Sequence, residues 1–240
     1  MNSKPPFISW TLAATLFVFA AGTAHADLIL DVTLDTSPLT AAEAASAEPF
    51  SLAFQLDQGS QAGNNSATIS DFSFGAGGSA GSSCPAALSP CIFGGASGDI
   101  SSSVDLNTST AFNALVETFT PGDTLSFVLD LTTNVDAGGT PDAFAFSILD
   151  SSGNPIPTLD PTGADTLLTI DIDSASPTTL TYATDPSSNT LGGAGPSITM
   201  DAPIVSSPAA VPEPSESGIV CVGVLLAGVS LRRRKIQSVH

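Results

Sequence analysis

Apolar residues fall at every second position over most of the chain between residues 28 and 205. Phe50, Leu52 and Phe54 alternate with Ser51, Ala53 and Gln55. Phe72 with Phe74, Phe127 with Leu129, and Phe144 with Phe146 and Ile148 repeat the pattern. A period of two puts successive side chains on opposite faces of an extended strand, one face apolar and the other wet. On this ground strands are predicted at 28–34, 50–56, 67–74, 100–106, 112–119, 124–132, 143–149, 166–172, 180–183 and 197–205. Thr, Phe, Val and Ile fill these spans, and Gly, Pro, Asn and Asp separate them. About ten strands in a domain of this length indicate an all-β fold, an antiparallel β-sandwich of jelly-roll-like kind over residues 27–205. The phenylalanine stripes are read as its core.

Two stretches depart from the alternation. Residues 40–47 have helix-favouring composition, and Ser37 and Pro38 ahead of them suit a helix start, so one or two helical turns are expected there. Residues 192–217 are rich in Gly, Ser, Pro and Ala, and 206–217 read as an extended linker. No repeat of fixed period emerges, which sets aside a solenoid or an array.

The two ends carry the charge that the middle lacks. Residues 1–4 are short and basic, residues 7–21 are apolar, and Ala24, His25 and Ala26 have the small-x-small pattern of a signal peptidase site. Residues 1–26 are therefore predicted to be a signal peptide and the mature chain to begin at Asp27. At the far end stand Val211, Pro212, Glu213, Pro214 and Ser215. An uncharged run over 218–231 follows, and then Arg232, Arg233, Arg234 and Lys235. A Pro-rich stretch cannot be helix interior. The apolar run predicts a membrane helix, and the basic cluster a stop-transfer signal on the cytoplasmic side. The run is shorter than the roughly 20 residues a full span prefers, which suits a transient anchor. Residues 218–240 are thus a hydrophobic helix with a basic tail. An ordinary single-pass anchor is the alternative, and it leaves the Pro-Glu-Pro sequence unexplained. A buried globular helix would leave four adjacent cations without partners.

The segment 211–235 resembles the PEP-CTERM sorting signal of bacterial envelope and secreted proteins. In that family the motif, the hydrophobic helix and the basic end are recognised by an exosortase, a membrane protease or transpeptidase, in hosts that commonly make exopolysaccharide. The resemblance implies a route and a compartment: export, sorting by an exosortase, and surroundings of exopolysaccharide or matrix. It implies no activity. Glu216, Ser217 and Gly218 stand where the family usually turns apolar at once. The ectodomains of such proteins are often Ser/Thr/Gly-rich and all-β, and the patterns at 50–56 and 127–131 look similar to theirs.

Charge segregation narrows the chemistry. All five Lys and Arg of the 240-residue chain are Lys4 or lie at 232–235, both His are His25 and His240, and all 23 acidic residues fall between Asp27 and Glu216. A surface with carboxylates and no cations repels nucleic acid, anionic polysaccharide and anionic lipid, and favours multivalent cations or cationic partners. Its plain reading is solubility outside the cell. Without His or Lys, residues 27–217 hold no Ser-His-Asp or Cys-His arrangement, no Schiff-base lysine and no His-based zinc site. The Gly-rich runs at 75–78 and 192–195 lack a P-loop lysine and read as loops.

Carboxylate chemistry stays open. A pair of Asp or Glu across a cleft would serve glycoside hydrolysis. Against it, the mature domain has no Trp, since Trp10 lies in the signal peptide, and Tyr182 is its one Tyr. Calcium is the other option, with Asp136, Asp142, Asp171 and Asp173 as candidate ligands, the last two on one strand face. No EF-hand or calcium-solenoid repeat is present, and Asp and Asn at such places commonly bond their own backbone in turns. Cys84 and Cys91 bracket a short Pro-containing loop, and an exported setting favours a disulfide between them. Free thiols or a metal pair are the alternatives. Cys221 lies in the apolar tail as a small apolar residue or a lipidation site. The chain is expected to be a non-enzymatic envelope or extracellular-matrix protein, and the alternative is a calcium-dependent binding module for polysaccharide or a surface partner.

Overall fold

The computed structural model describes residues 27–46, 49–60, 64–82, 84–85, 88, 91–135, 139–174, 176–188 and 197–208. The elements run β1 (Leu28–Asp35), α1 (Ser37–Ser46), β2 (Phe50–Asp57), β3 (Ser66–Ser73), β4 (Ser79–Ala80), β5 (Ile92–Phe93), β6 (Ser97–Gly98) and β7 (Val104–Asn107). They continue with β8 (Phe112–Thr120), β9 (Thr124–Leu131), β10 (Asp142–Leu149), β11 (Leu168–Ile172), β12 (Thr179–Thr181) and β13 (Ile204–Ser206).

These strands form two antiparallel sheets. A six-stranded sheet has the order β13-β1-β9-β3-β7-β6, and a seven-stranded sheet the order β12-β11-β10-β2-β8-β4 with β5 also on β8. The long-range pairings are nested: β1 with β9, β2 with β8, and β3 with β7. The later strands β10, β11 and β12 then extend the second sheet outward from β2 as a meander.

The sheets meet through the phenylalanine stripes. Phe50, Leu52, Phe54 and Leu56 of β2 are fully buried, as are Phe144 and Phe146 of β10. Phe54 lies edge-on to Phe127 of the opposing sheet at 5.4 Å between centroids and stacks on Phe146 at 5.1 Å. Such pairs add to the burial of large apolar area. In β3 the phase of the pattern slips. Ala67 and Ile69 point inward, the register shifts between Ser70 and Ser73, and Asp71 takes φ +53°. That bulge lets Phe72 and Phe74 rejoin the core.

The helix forms where its composition places it. Asp35 Oδ1 accepts from the Ser37 backbone N–H at 3.0 Å and from its hydroxyl at 2.6 Å, Thr36 Oγ1 donates to the Gly122 carbonyl at 2.9 Å, and Leu39 and Ala42 are buried in the core.

Three departures from the sequence reading have local causes. Residues 100–103 are not strand: Asp99 accepts from the Ser101 N–H at 2.9 Å and the Ser102 hydroxyl at 3.2 Å, holding a turn from which β7 starts at Val104. Residues 197–203 are not strand either, because Thr184 bonds both to the Ile198 and Met200 carbonyls and to the Met200 N–H, and only Ile204–Ser206 pairs with β1. The strands β4, β5 and β6 are two residues each, too short for any periodicity to show. The signal peptide and the hydrophobic helix lie outside the described residues, among which no helix is long and apolar enough to cross a membrane.

Candidate functional site

The outward face of the seven-stranded sheet is not a plain wet surface. Strand register sets its side chains in rows. Phe112, Asp57, Ala143 and Asp171 stand side by side across β8, β2, β10 and β11. The next row holds Ala114, Gln55, Ala145, Thr169 and Leu180, reaching β12. Alanines down the middle with taller side chains at both flanks leave a groove of about 500 Å³. Phe112 is 47% exposed and Leu180 46%, and Tyr182 stands beside Leu180 on the same rim.

Loops raise the walls. Leu88, from the Cys84–Cys91 loop, meets the turn at Gly153, whose φ is +81°; a Cβ there would lie 2.9 Å from Leu88 Cγ, so this contact needs glycine for both space and conformation. On the other wall Asp160 is buried and accepts from Thr162 N–H at 2.9 Å, Thr162 hydroxyl at 2.7 Å and Thr166 hydroxyl at 2.7 Å. Burial alone would raise its pKa, but these bonds to the charged form carry it below the ordinary value.

Asp57 is the polar residue that stands out. It closes β2 between Phe112 and Ala143, and its Oδ2 accepts from Gln55 Nε2 at 2.6 Å. Its Oδ1 is covered and has no hydrogen-bond partner. Burial pushes the carboxyl above its ordinary value, and the bond from Gln55 opposes that only in part. An acceptor closed off from solvent without a donor is costly to the fold.

The sequence-predicted candidates distribute as follows. Cys84 and Cys91 form a disulfide with Cα atoms 5.4 Å apart. Asp142 is buried and structural: Oδ1 accepts from the Gly59 N–H at 2.7 Å and Oδ2 from Asn65 Nδ2 at 2.9 Å. Asp171 and Asp173 do not share a strand face, a correction to the sequence reading. β11 ends at Ile172, the Asp173 N–H bonds back to the Asp171 carbonyl, and Asp171 lines the large groove while Asp173 lines a separate cavity of about 190 Å³ with Asn134. Asp136 lies outside the described residues. Among the described residues no three His, Cys, Asp or Glu side chains converge on a metal position. Asp27 is exposed one residue ahead of β1, while Ala24, Ala26, Val211, Pro212, Glu213, Pro214, Ser215, Arg232, Arg233, Arg234 and Lys235 lie outside the described residues.

Beside Asp160 in the wall, two carboxylates line the groove from the sheet itself. Asp57 and Asp171 flank Ala143 on either side, which by ordinary strand spacing puts their Cα atoms about 10 Å apart. Sequence reasoning missed the groove because Ala53, Ala143 and Ala145 sit at outward positions of an alternating pattern and read as solvent-facing. The signal was there in their size: outward positions on exposed strands usually carry longer polar side chains, and here two central strands carry alanine. Comparison with known protein families, with curated proteins and with solved structures finds no match to this chain.

Proposed function

We propose that this chain is an exported, non-enzymatic protein of the bacterial envelope or extracellular matrix. A signal peptide cut by signal peptidase after Ala26 delivers it, and an exosortase sorts and processes it through the tail at 211–235. The observation that carries the reading is the separation of charge. Every Lys and Arg is at Lys4 or at 232–235, and the span between them is purely acidic. The β-domain fits that span, with its first strand beginning at Leu28 and its last ending at Ser206. Its nested pairing of β1 with β9, β2 with β8 and β3 with β7 supports a jelly-roll-like sandwich as the exported unit. Intact-mass measurement of the native protein, with fractionation of its host into membrane, envelope and medium, tests the route. Loss of residues 1–26 and of the tail is expected. Retention of 218–240 in every fraction of a wild-type host overturns the sorting reading.

The groove favours a second reading, in which the exported domain is a binding module for polysaccharide or a surface partner. The calcium-dependent form of that reading is checked by thermal melts with calcium and with chelator. With Asp142 already hydrogen-bonded through both oxygens, unchanged midpoints are expected.

A further inference from the structure

We propose that the groove on the outer face of the seven-stranded sheet binds a segment of neutral polysaccharide, without a metal ion. The proposal rests on the binding-module reading of the domain and is independent of the route by which the protein reaches the surface. Size comes first. A groove of about 500 Å³ falls within the range of roughly 300–1,000 Å³ usual for small-ligand sites. Its rims, Phe112 on β8 and Leu180 on β12, stand four strand steps apart, about 19 Å. That is a trough for several sugar rings rather than a cup for one.

Chemistry selects the ligand. The floor of Ala143 and Ala145 and the rims of Phe112, Leu180 and Tyr182 offer an apolar surface on which the C–H face of a pyranose ring can lie. The exposed Asp171 carboxylate offers acceptors, and Gln55 and Thr169 stand in adjoining positions. The ligand must therefore bring hydroxyl donors along its edge and apolar patches on its face. Uronates and sulfated sugars are excluded, because no Lys, Arg or His lies between residues 27 and 231 to neutralise them. A cationic polymer would meet the carboxylates, but its ammonium groups would have to shed water over an apolar floor. The hydroxyls of a neutral sugar cost far less to desolvate than an ammonium.

The experiment is affinity electrophoresis and calorimetry of the full-length chain in mild detergent. The probes are soluble neutral polysaccharides (a β-glucan, a galactomannan and a xylan), with polygalacturonate as the anionic polymer and polylysine as the cationic one. Retardation by at least one neutral polymer, unchanged by chelator, is expected. Ala145→Phe, which fills the trough, should abolish it, and Asp171→Ala should weaken it about tenfold. Ile204→Ser, on a distant edge strand, should leave it unchanged. Thermal midpoints are read for each variant, and if Ala145→Phe fails to fold, Tyr182→Ala and Asp171→Ala carry the test. Absence of binding to every neutral polymer overturns the proposal, as does binding that survives both Asp171→Ala and a folded trough-filling variant. Binding of polylysine alone, lost in Ala145→Phe, overturns the sugar but leaves a binding module standing. Release of new reducing ends, lost in both Asp57→Asn and Asp171→Asn, keeps the sugar site and overturns the non-enzymatic reading.

Discussion

Aspartate does most of the local work in this chain, and it does so mainly through turns. Asp35 and Ser37, Asp99 with Ser101 and Ser102, Asp160 with Thr162 and Thr166, and Asp185 with Ser187 and Ser188 repeat one device, a carboxylate accepting from N–H and hydroxyl groups two or three residues on, or six for Thr166. The bonds stabilise the charged form, and all four aspartates are held below the ordinary aspartate value. Asp57, Glu117 and Asp130 go the other way, pushed up by burial first. The signs then give a pH profile. The lowered group contributes stability that is fully present above the unfolded value and is lost as pH falls through the folded one. The raised group opposes folding at neutral pH, and that opposition is relieved as it takes up protons. Thermal stability is thus expected to rise as pH drops from 7 into the mildly acidic range and to fall below about 3.8. Melts across pH check this, and Asp57→Asn should flatten part of the rise. Asp160→Ala should cost roughly 2–4 kcal/mol, because it leaves the buried Thr166 hydroxyl and N–H without their acceptor.

At the level of elements, the central strands carry the fold and the short ones decorate it. Phe54 touches Phe72, Phe127 and Phe146, joining both sheets. Phe54→Ala should therefore destabilise by about 3–5 kcal/mol, read as a lower urea midpoint. The disulfide closes a sequence separation of 7, and replacing both cysteines by serine should cost roughly 2.5 kcal/mol by loop entropy. Protection from hydrogen exchange should fall first at Val116, whose N–H bonds the Cys91 carbonyl. These elements differ in how plainly the sequence announces them. The long strands were legible because each has an inner stripe of Phe, Leu or Ile that no other period explains. The bulge in β3 is not announced in this way: 67–74 reads as one unbroken strand, although Ile69 and Phe72 are three apart and a strict alternation cannot bury both. The turn at 99–102 hid behind Ile100, which is buried but whose N–H goes to Glu117 Oε2 at 2.9 Å rather than to a strand partner. The β4, β5 and β6 pairings depend on tertiary contact with β8 and β7, which no local pattern encodes. The groove was invisible for a related reason: it is made by register, which sets Ala143 and Ala145 of β10 between the taller Asp57 and Gln55 of β2 and Asp171 and Thr169 of β11, and register is not written in any strand alone.

For the molecule as a whole, the absence of cations between residues 27 and 231 has effects that no single contact reveals. Carboxylates with no opposite charge repel one another, so added salt should raise the melting midpoint of the β-domain, most steeply below about 0.5 M. Trypsin should leave residues 27–231 uncut even in urea, while a glutamate- or phenylalanine-directed protease cuts the unfolded chain. Gel analysis of both digests distinguishes protection by folding from absence of sites.

The topology also decides where the domain gives under load. β1 begins at Leu28, and β13 lies against it with Ser206 opposite Asp31, so the chain enters and leaves the six-stranded sheet side by side at one corner. A pull applied beyond residue 208 arrives first at β13, which is held by three register pairs and keeps Ile204 73% exposed. That strand peels before the β1–β9 pair behind it is strained. Pulled from its C-terminal side, the domain would lengthen by a few residues at this corner while the opposite sheet, with the groove on its outer face, kept its shape.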